Sequence, residues 1–194
     1  MKAIDQILNF IVEIEKLKGV LRKTKVVGID RYENSAEHSW HICLSALLLK
    51  EYANESINID RVIKMLLIHD LGEIDAGDTI VYATNKEEIK QKEAEGFKRL
   101  FALLPAEISS ELIELWQEFE ECQTPEAIYA NAIDRIPPVL QNLHNNGQSW
   151  LENNISFEQV IKVNSKISNG SNQVWDNLRP KLEAKIEDIL IKSN

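Results

Sequence analysis

His69 and Asp70, side by side near the middle of the chain, close an apolar run, Met65-Leu66-Leu67-Ile68, just before Gly72. Neighbours on a helix point about 100° apart. The pair therefore grips one ion only if that ion sits close against the helix, between the two directions. A carboxylate at the end of a buried helix also needs a compensating cation or proton. Taken alone, the pair serves equally well as a helix C-terminal cap: an imidazole suits that end of the dipole, although a carboxylate does not.

The second signal is Ala36-Glu37-His38-Ser39-Trp40-His41, in the first turn of an expected helix. His38 and His41 are three apart and share a face, so both could ligate; an isolated pair of this kind is more commonly a surface or capping feature. The third is Asp134-Arg135 inside the apolar stretch Ala132 to Ile136, which on its own reads as a structural ion pair. Together the three signals weigh more. His38, His69, Asp70 and Asp134 on three separate helices supply two imidazoles and two carboxylates. That set suits one divalent transition-metal ion (Mn²⁺, Fe²⁺, Co²⁺, Ni²⁺ or Zn²⁺) better than an all-oxygen Mg²⁺ or Ca²⁺ site. Four protein ligands around an octahedral ion leave positions for water and a phosphate oxygen.

The elements that must position these residues are helices. Ile4, Ile7, Leu8, Ile11 and Ile14 form an apolar stripe at helical spacing. Gly19 marks a bend, and Lys23 to Asn34 reads as a polar connection. Asn34 or Ser35 caps a second helix reaching about Glu51, and Asp60 caps a third, central one through Val62 to Leu67. Gly72 sits where a left-handed residue ends a helix. Glu73 to Asn85 reads as an ordered loop, after which Asn85 opens a fourth helix. Pro105 opens a fifth, ending near Cys122. Thr124-Pro125 starts a sixth, with a kink expected at Pro137-Pro138. Ser156 and Gln159 form a capping box for a seventh, reaching about Ile167. Asn169 to Ser171 separates it from a final helix that Pro180 should bend or split. No sustained alternation of apolar and polar residues suggests a strand. The expectation is a single all-α domain of seven or eight helices over 1–194, with a motif core at about 17–150 and C-terminal helices at about 155–192 packing on it.

Net charge is −9, without a Lys/Arg-rich tract. That speaks against a nucleic-acid-wrapping protein, whose binding needs a basic surface, but it leaves room for a small anionic substrate held by a cation and a few local Arg or Lys. No apolar run approaches the ~20 residues of a membrane span, and the N-terminus lacks the pattern of a secretion signal. Cys43 and Cys122 are expected to be reduced thiols of a cytoplasmic protein. Trp40, Trp116, Trp150 and Trp175 read mainly as packing residues, with Trp150 able to approach a pocket. His144 should face solvent, and exposed apolar residues on the last two helices are candidates for a dimer contact.

The order of the motifs, Ala36-Glu37-His38-Ser39, His69-Asp70-Leu71-Gly72-Glu73, Gly77-Asp78 and Asp134-Arg135, resembles the HD-domain superfamily. More narrowly it is similar to the branch containing the bacterial and human 5′-deoxynucleotidases, over about Leu17 to Trp150. The resemblance implies an α-helical, often homodimeric enzyme that removes the 5′-phosphate from deoxyribonucleoside monophosphates with one divalent ion. His38, His69, Asp70 and Asp134 match the family's metal ligands. Glu73 matches the acidic residue that activates or orients the attacking water, and Asp78 a second acid of the same loop. Arg22 resembles the arginine that contacts phosphate or sugar, and Arg31 is a second phosphate candidate. Lys23 stands where the family pattern can carry a tryptophan that selects against a ribose 2′-hydroxyl. His41 matches no ligand.

Two other readings stand beside this one. An HD phosphohydrolase could act on another phosphate ester, such as a cyclic dinucleotide or an alarmone, although extra histidines for a second metal are missing. A helical protein could instead hold metal and nucleotide without turnover; Glu73 and Asp78 speak against that.

Overall fold

The computed structural model describes residues 2–82 and 86–191. Caps and apolar spacing decide where its helices start and which faces they bury. The first helix, α1 (Ala3–Ile14), buries Phe10 and turns Ile7 and Ile14 toward the core. Ile4, Leu8 and Ile11, expected on the same buried stripe, face outward instead. A 3-10 turn at Glu15–Gly19 then leads into the one element the sequence pattern does not suggest, an antiparallel hairpin. Its strands are β1 (Leu21–Lys25) and β2 (Tyr32–Asn34), with Leu21 opposite Asn34 and Lys25 opposite Tyr32. Gly28, at φ +76°, supplies the left-handed residue in the turn.

Asn34 caps α2 (Ser35–Leu49) in a full capping box: its side chain accepts from Glu37 N–H at 2.9 Å, and the Glu37 carboxylate accepts from Asn34 N–H at 3.2 Å. Helix α3 (Ile59–Ile68) is capped by Asn58, whose side-chain oxygen accepts from Asp60 and Arg61 N–H, so Asp60 is not the cap. Val62, Met65 and Leu66 of α3 are fully buried, as expected of a central helix.

Gly72 is right-handed (φ −62°), not the left-handed stop the sequence suggests, and it begins a short helix, α4 (Glu73–Ala76), inside the expected loop. Its small size serves close packing. A Cβ on Gly72 would lie 2.6 Å from the Glu93 carbonyl oxygen, and one on Gly96 would lie 2.7 Å from the Gly72 carbonyl oxygen. The two glycines let α4 pack directly on α5 (Lys86–Phe101). Asn85, expected to open α5, lies outside the described residues.

Helices α6 (Ala106–Glu121) and α7 (Pro125–His144) come next, the latter capped by Thr124 with Pro125 in its first turn. Pro137 and Pro138 lie inside α7 without ending it. After the short α8 (Gln148–Glu152), Ser156 and Gln159 cap α9 (Phe157–Asn164) as expected. A turn of helix, α10 (Ile167–Gly170), sits where a separator was expected, and Pro180 lies within an unbroken α11 (Asn172–Ile191).

The fold is all-α apart from the hairpin. Among the described residues, eight of these helices (α1, α2, α3, α5, α6, α7, α9 and α11) have eight residues or more, in line with the seven or eight expected. One apolar cluster runs from Phe10 to Ile186, with α7 crossing α2, α3 and α10 through its middle.

A candidate metal centre at the foot of a cleft

The ends of α2, α3 and α4, the middle of α7 and the hairpin bring the polar residues together. His38 sits in the first turn of α2 and is fully buried. His69 comes directly after the last residue of α3, and Asp134 lies midway along α7. Ligand atoms of these three residues all lie within 4.8 Å of one another. His38 Nε2 is 2.8 Å from Asp134 Oδ1. His69 Nε2 lies 3.0 Å from Asp70 Oδ1 and 3.5 Å from Asp134 Oδ1. Three of the four sequence-predicted ligands therefore share one point, and Asp70 lies beside His69.

The tautomer of His69 is set by its neighbours. Its Nδ1 lies 2.9 Å from the Leu66 carbonyl oxygen, which can only accept, so the proton is on Nδ1. The Nε2 lone pair then faces two carboxylates, and Nε2 is a buried atom without a hydrogen bond. Lone pair against carboxylate is unfavourable unless a cation or proton stands between them. Burial opposes charge on His69, but Asp70 and Asp134 outweigh it and hold its pKa well above the ordinary value. The donor set and the unsatisfied Nε2 thus fit a divalent cation.

The acids around this point are out of proportion to the bases. Arg22, projecting inward from β1, donates to Asp70 Oδ2 at 2.8 Å and lies 3.7 Å from both Asp78 and Glu33. Glu73, in the first turn of α4, accepts a 2.7 Å hydrogen bond from Ser35 Oγ of α2. Burial, with Asp70 and Asp78 nearby, pushes the Glu73 carboxyl well above the usual range against the pull of Arg22. Burial raises Asp78 as well. Asp134 moves the other way: burial favours its neutral form, but the His38 and His69 imidazoles beside it overcome that and hold it well below the usual range. Burial beside Arg22 depresses His38 to about 4, so it is neutral.

Above these residues opens a cleft of about 310 Å³, within the size range of small-molecule sites. His69, Asp70, Glu73, Asp78 and Asp134 line its floor with Arg22, and Lys23 stands at its exposed rim. Further up it is lined by Ile80, Tyr82, Val139, Trp150 and Asn164. Trp150 is both buried in the core and part of the wall.

Arg31 is corrected by its placement. It is exposed, forks onto Glu37 at 2.7 and 2.8 Å, and does not line the cleft. His41 also stands apart, against Trp40. Sequence reasoning misses the place of four residues. Arg135 and Lys90 add positive charge to the cleft wall, and Glu93 adds a carboxyl raised by burial to about 7. Glu33, on β2, is almost completely buried behind His38 and Arg22. The signal for it is an acid inside a segment that reads as polar connection; without the hairpin, nothing points it inward.

Residues 14–175 match the model of the HD domain family, and the chain belongs to that family. The human 5′-deoxynucleotidase HDDC2 is 33% identical over 138 residues, which are 70% of this chain and 66% of that protein. The 5′-deoxynucleotidase HDDC2 of Dictyostelium discoideum is 32% identical over 163 residues, 79% of this chain and 85% of that one. The crystal structure of a predicted metal-dependent phosphohydrolase from Magnetospirillum magnetotacticum superposes with a TM-score of 0.91 at 39% identity, covering 95% of this chain and 93% of that one. The chain thus spans just under two thirds of its human relative.

Proposed function

We propose that this chain is a metal-dependent phosphohydrolase that removes the 5′-phosphate from nucleoside monophosphates, deoxyribonucleotides first among them. The observation that carries the reading is His69 Nε2, a buried atom without a hydrogen bond that the Leu66 carbonyl turns toward two carboxylates at the floor of a cleft. The names of the human and Dictyostelium relatives support the substrate class.

His38, His69, Asp70 and Asp134 would hold one transition-metal ion, the imidazoles favouring Mn²⁺, Fe²⁺, Co²⁺, Ni²⁺ or Zn²⁺ over Mg²⁺. When bound, the ion supplies a positive charge that polarises a phosphate oxygen and acidifies a neighbouring water. Glu73, oriented by Ser35, accepts the proton of the attacking water. Asp78, on the same floor beside Arg22, would assist at the departing 5′-oxygen. Arg22 is fixed by Asp70 and offers its remaining donors to the phosphate, with Lys23 beside it at the rim. Tyr82, Trp150 and Asn164 provide a part-aromatic, part-polar wall for the nucleoside.

Two further assignments belong to the same reading. The two free cysteines support a reducing, cytoplasmic setting. A homodimer is supported by the exposed Trp40, Leu44, Leu47 and Leu48 of α2; among the described residues the last two helices expose no large apolar side chain. No described helix is long and apolar enough to cross a membrane.

The test is phosphate release from ribo- and deoxyribonucleoside 5′-monophosphates with Mn²⁺, Co²⁺, Mg²⁺ or chelator. Metal-dependent release favouring the deoxy compounds is expected. Silence across the panel, from protein shown to hold metal, would overturn the substrate assignment.

A further inference from the structure

Behind the centre lies a buried polar knot that the reaction does not use directly. Three of its atoms, Arg22 Nε, Glu33 Oε2 and His38 Nδ1, are buried without a hydrogen bond. They face one another: Glu33 Oε2 is 3.7 Å from Arg22 Nε and 3.6 Å from His38 Nδ1. The Gln141 side chain of α7 lies against the same carboxyl group. Each pair is a small side-chain adjustment from a good hydrogen bond, and a buried polar atom gains by making one.

We propose that Glu33 is a positioning residue that directs the proton of His38 to Nδ1, freeing Nε2 for the metal, while it fixes the Arg22 guanidinium. This rests on the metal-centre reading of the proposed function. A neutral imidazole carries one proton, yet His38 has a carboxylate on each side, Asp134 at Nε2 and Glu33 at Nδ1. With the proton on Nε2, Asp134 is satisfied and the Nδ1 lone pair meets Glu33. With the proton on Nδ1, Glu33 is satisfied and the Nε2 lone pair points at Asp134 and His69. Only the second arrangement leaves two imidazole lone pairs and Asp134 aimed at a common point, as a cation requires. A carboxylate on the far nitrogen of a ligating histidine fixes its tautomer and raises its basicity. Glu33 reaches this place from the hairpin rather than a helix, and its second contact, to Arg22, links the alignment of the ion's ligand to that of the phosphate's partner. If Glu33 served only to neutralise Arg22, the proton on His38 would be indifferent to it.

The experiment uses the full chain with ¹⁵N-labelled histidine, loaded with zinc for long-range proton–nitrogen correlation and with cobalt for titration. The chain has four histidines, and His41 and His144 are assigned by replacing each with glutamine. In the unaltered protein, His38 is expected to carry its proton on Nδ1; a proton on Nε2 would overturn the proposal without any variant being made. In Glu33→Gln, cobalt affinity should fall on the order of ten- to a hundredfold, with far-ultraviolet circular dichroism unchanged. Glu33→Asp should recover part of that loss, because it restores the charge. A Glu33→Gln protein that binds cobalt as tightly as the parent overturns the role of Glu33 and leaves the metal centre standing. Parent protein that takes up neither metal overturns the centre and this inference with it. Loss of phosphate release alone, with both readouts as expected, bears only on the substrate.

Discussion

Ser35 Oγ donates a 2.7 Å hydrogen bond to Glu73 Oε2, joining the first residue of α2 to the first residue of α4 across the floor of the cleft. Both side chains are buried, so the bond is shielded from water and holds one carboxylate oxygen while leaving the other for a reacting water. Glu73→Gln should therefore lower phosphate release by about 10²- to 10⁴-fold, the usual worth of a positioned acid–base group. Ser35→Ala should cost less, because it loosens Glu73 without removing it. Both are read as turnover at full metal occupancy. Parental turnover in Glu73→Gln would remove Glu73 from the reaction.

Metal should stabilise the fold, since the centre ties α2, the end of α3 and α7 together. At a free concentration one hundred times the dissociation constant, the gain is about 2.7 kcal/mol, which for a chain of this size raises the unfolding midpoint by roughly 5–10 °C. Thermal scans with Mn²⁺ or Co²⁺ against chelator check this. His69→Ala should abolish the shift, and a His69→Ala protein still stabilised by metal would place the ion elsewhere.

Glu93 makes a pH dependence with a definite sign. Burial, with Glu120 adding repulsion, lifts its pKa to about 7 from an ordinary 4.5. Between these values the unfolded chain releases a proton that the folded one keeps, so this group lowers stability as pH rises from 4.5 to 7 and by a constant amount above. Glu93→Gln should accordingly raise the midpoint of chelator-treated protein at pH 8 and leave it unchanged near pH 4. Equal midpoints at pH 8 would show that Glu93 ionises freely in the fold.

Gly72→Ala should damage stability and chemistry together. Its Cβ would meet the Glu93 carbonyl oxygen at 2.6 Å and the Phe97 ring at 2.8 Å, backbone on one side and core on the other. Overpacking of this kind costs roughly 1–3 kcal/mol, and α4 must shift, carrying Glu73 with it. Denaturant unfolding with activity at full metal occupancy checks the pair of effects. A variant unchanged in both would show that α4 and α5 have room to separate.

The helical part of this fold is legible because caps and apolar spacing are local. Thr124-Pro125 and Ser156 with Gln159 mark helix starts that the structure reproduces. The grouping of His38, His69 and Asp134, with Asp70 beside His69, is legible for a different reason: histidines and acids within or beside apolar runs are costly unless they share a charge. The features that escape are non-local. The hairpin strands are too short to show an alternating pattern, and the face Arg22 and Glu33 present depends on a pairing made across the turn at Gly28. Gly72 reads as a stop because a glycine after a helix commonly is one, whereas its purpose depends on Gly96, distant in sequence. The outward turn of Ile4, Leu8 and Ile11 depends likewise on which face of α1 the rest of the chain covers. Arg31 looks available because sequence does not reveal that Glu37 occupies it.

The capping box at the head of α2 acts as the zero mark of a dial. Asn34 and Glu37 fix where helical winding begins, and His38 comes one residue after the box closes. Each residue added to a helix turns every later side chain by about 100°. A single insertion between Glu37 and His38 would leave the cap and the helix intact, its composition unchanged but for one residue, and swing the imidazole a quarter-turn or more out of phase with His69 and Asp134. Substitutions there would be tolerated or not according to size and polarity; changes of length would not be tolerated at all. The clock set by Asn34 makes this stretch more intolerant of gaps than of spelling.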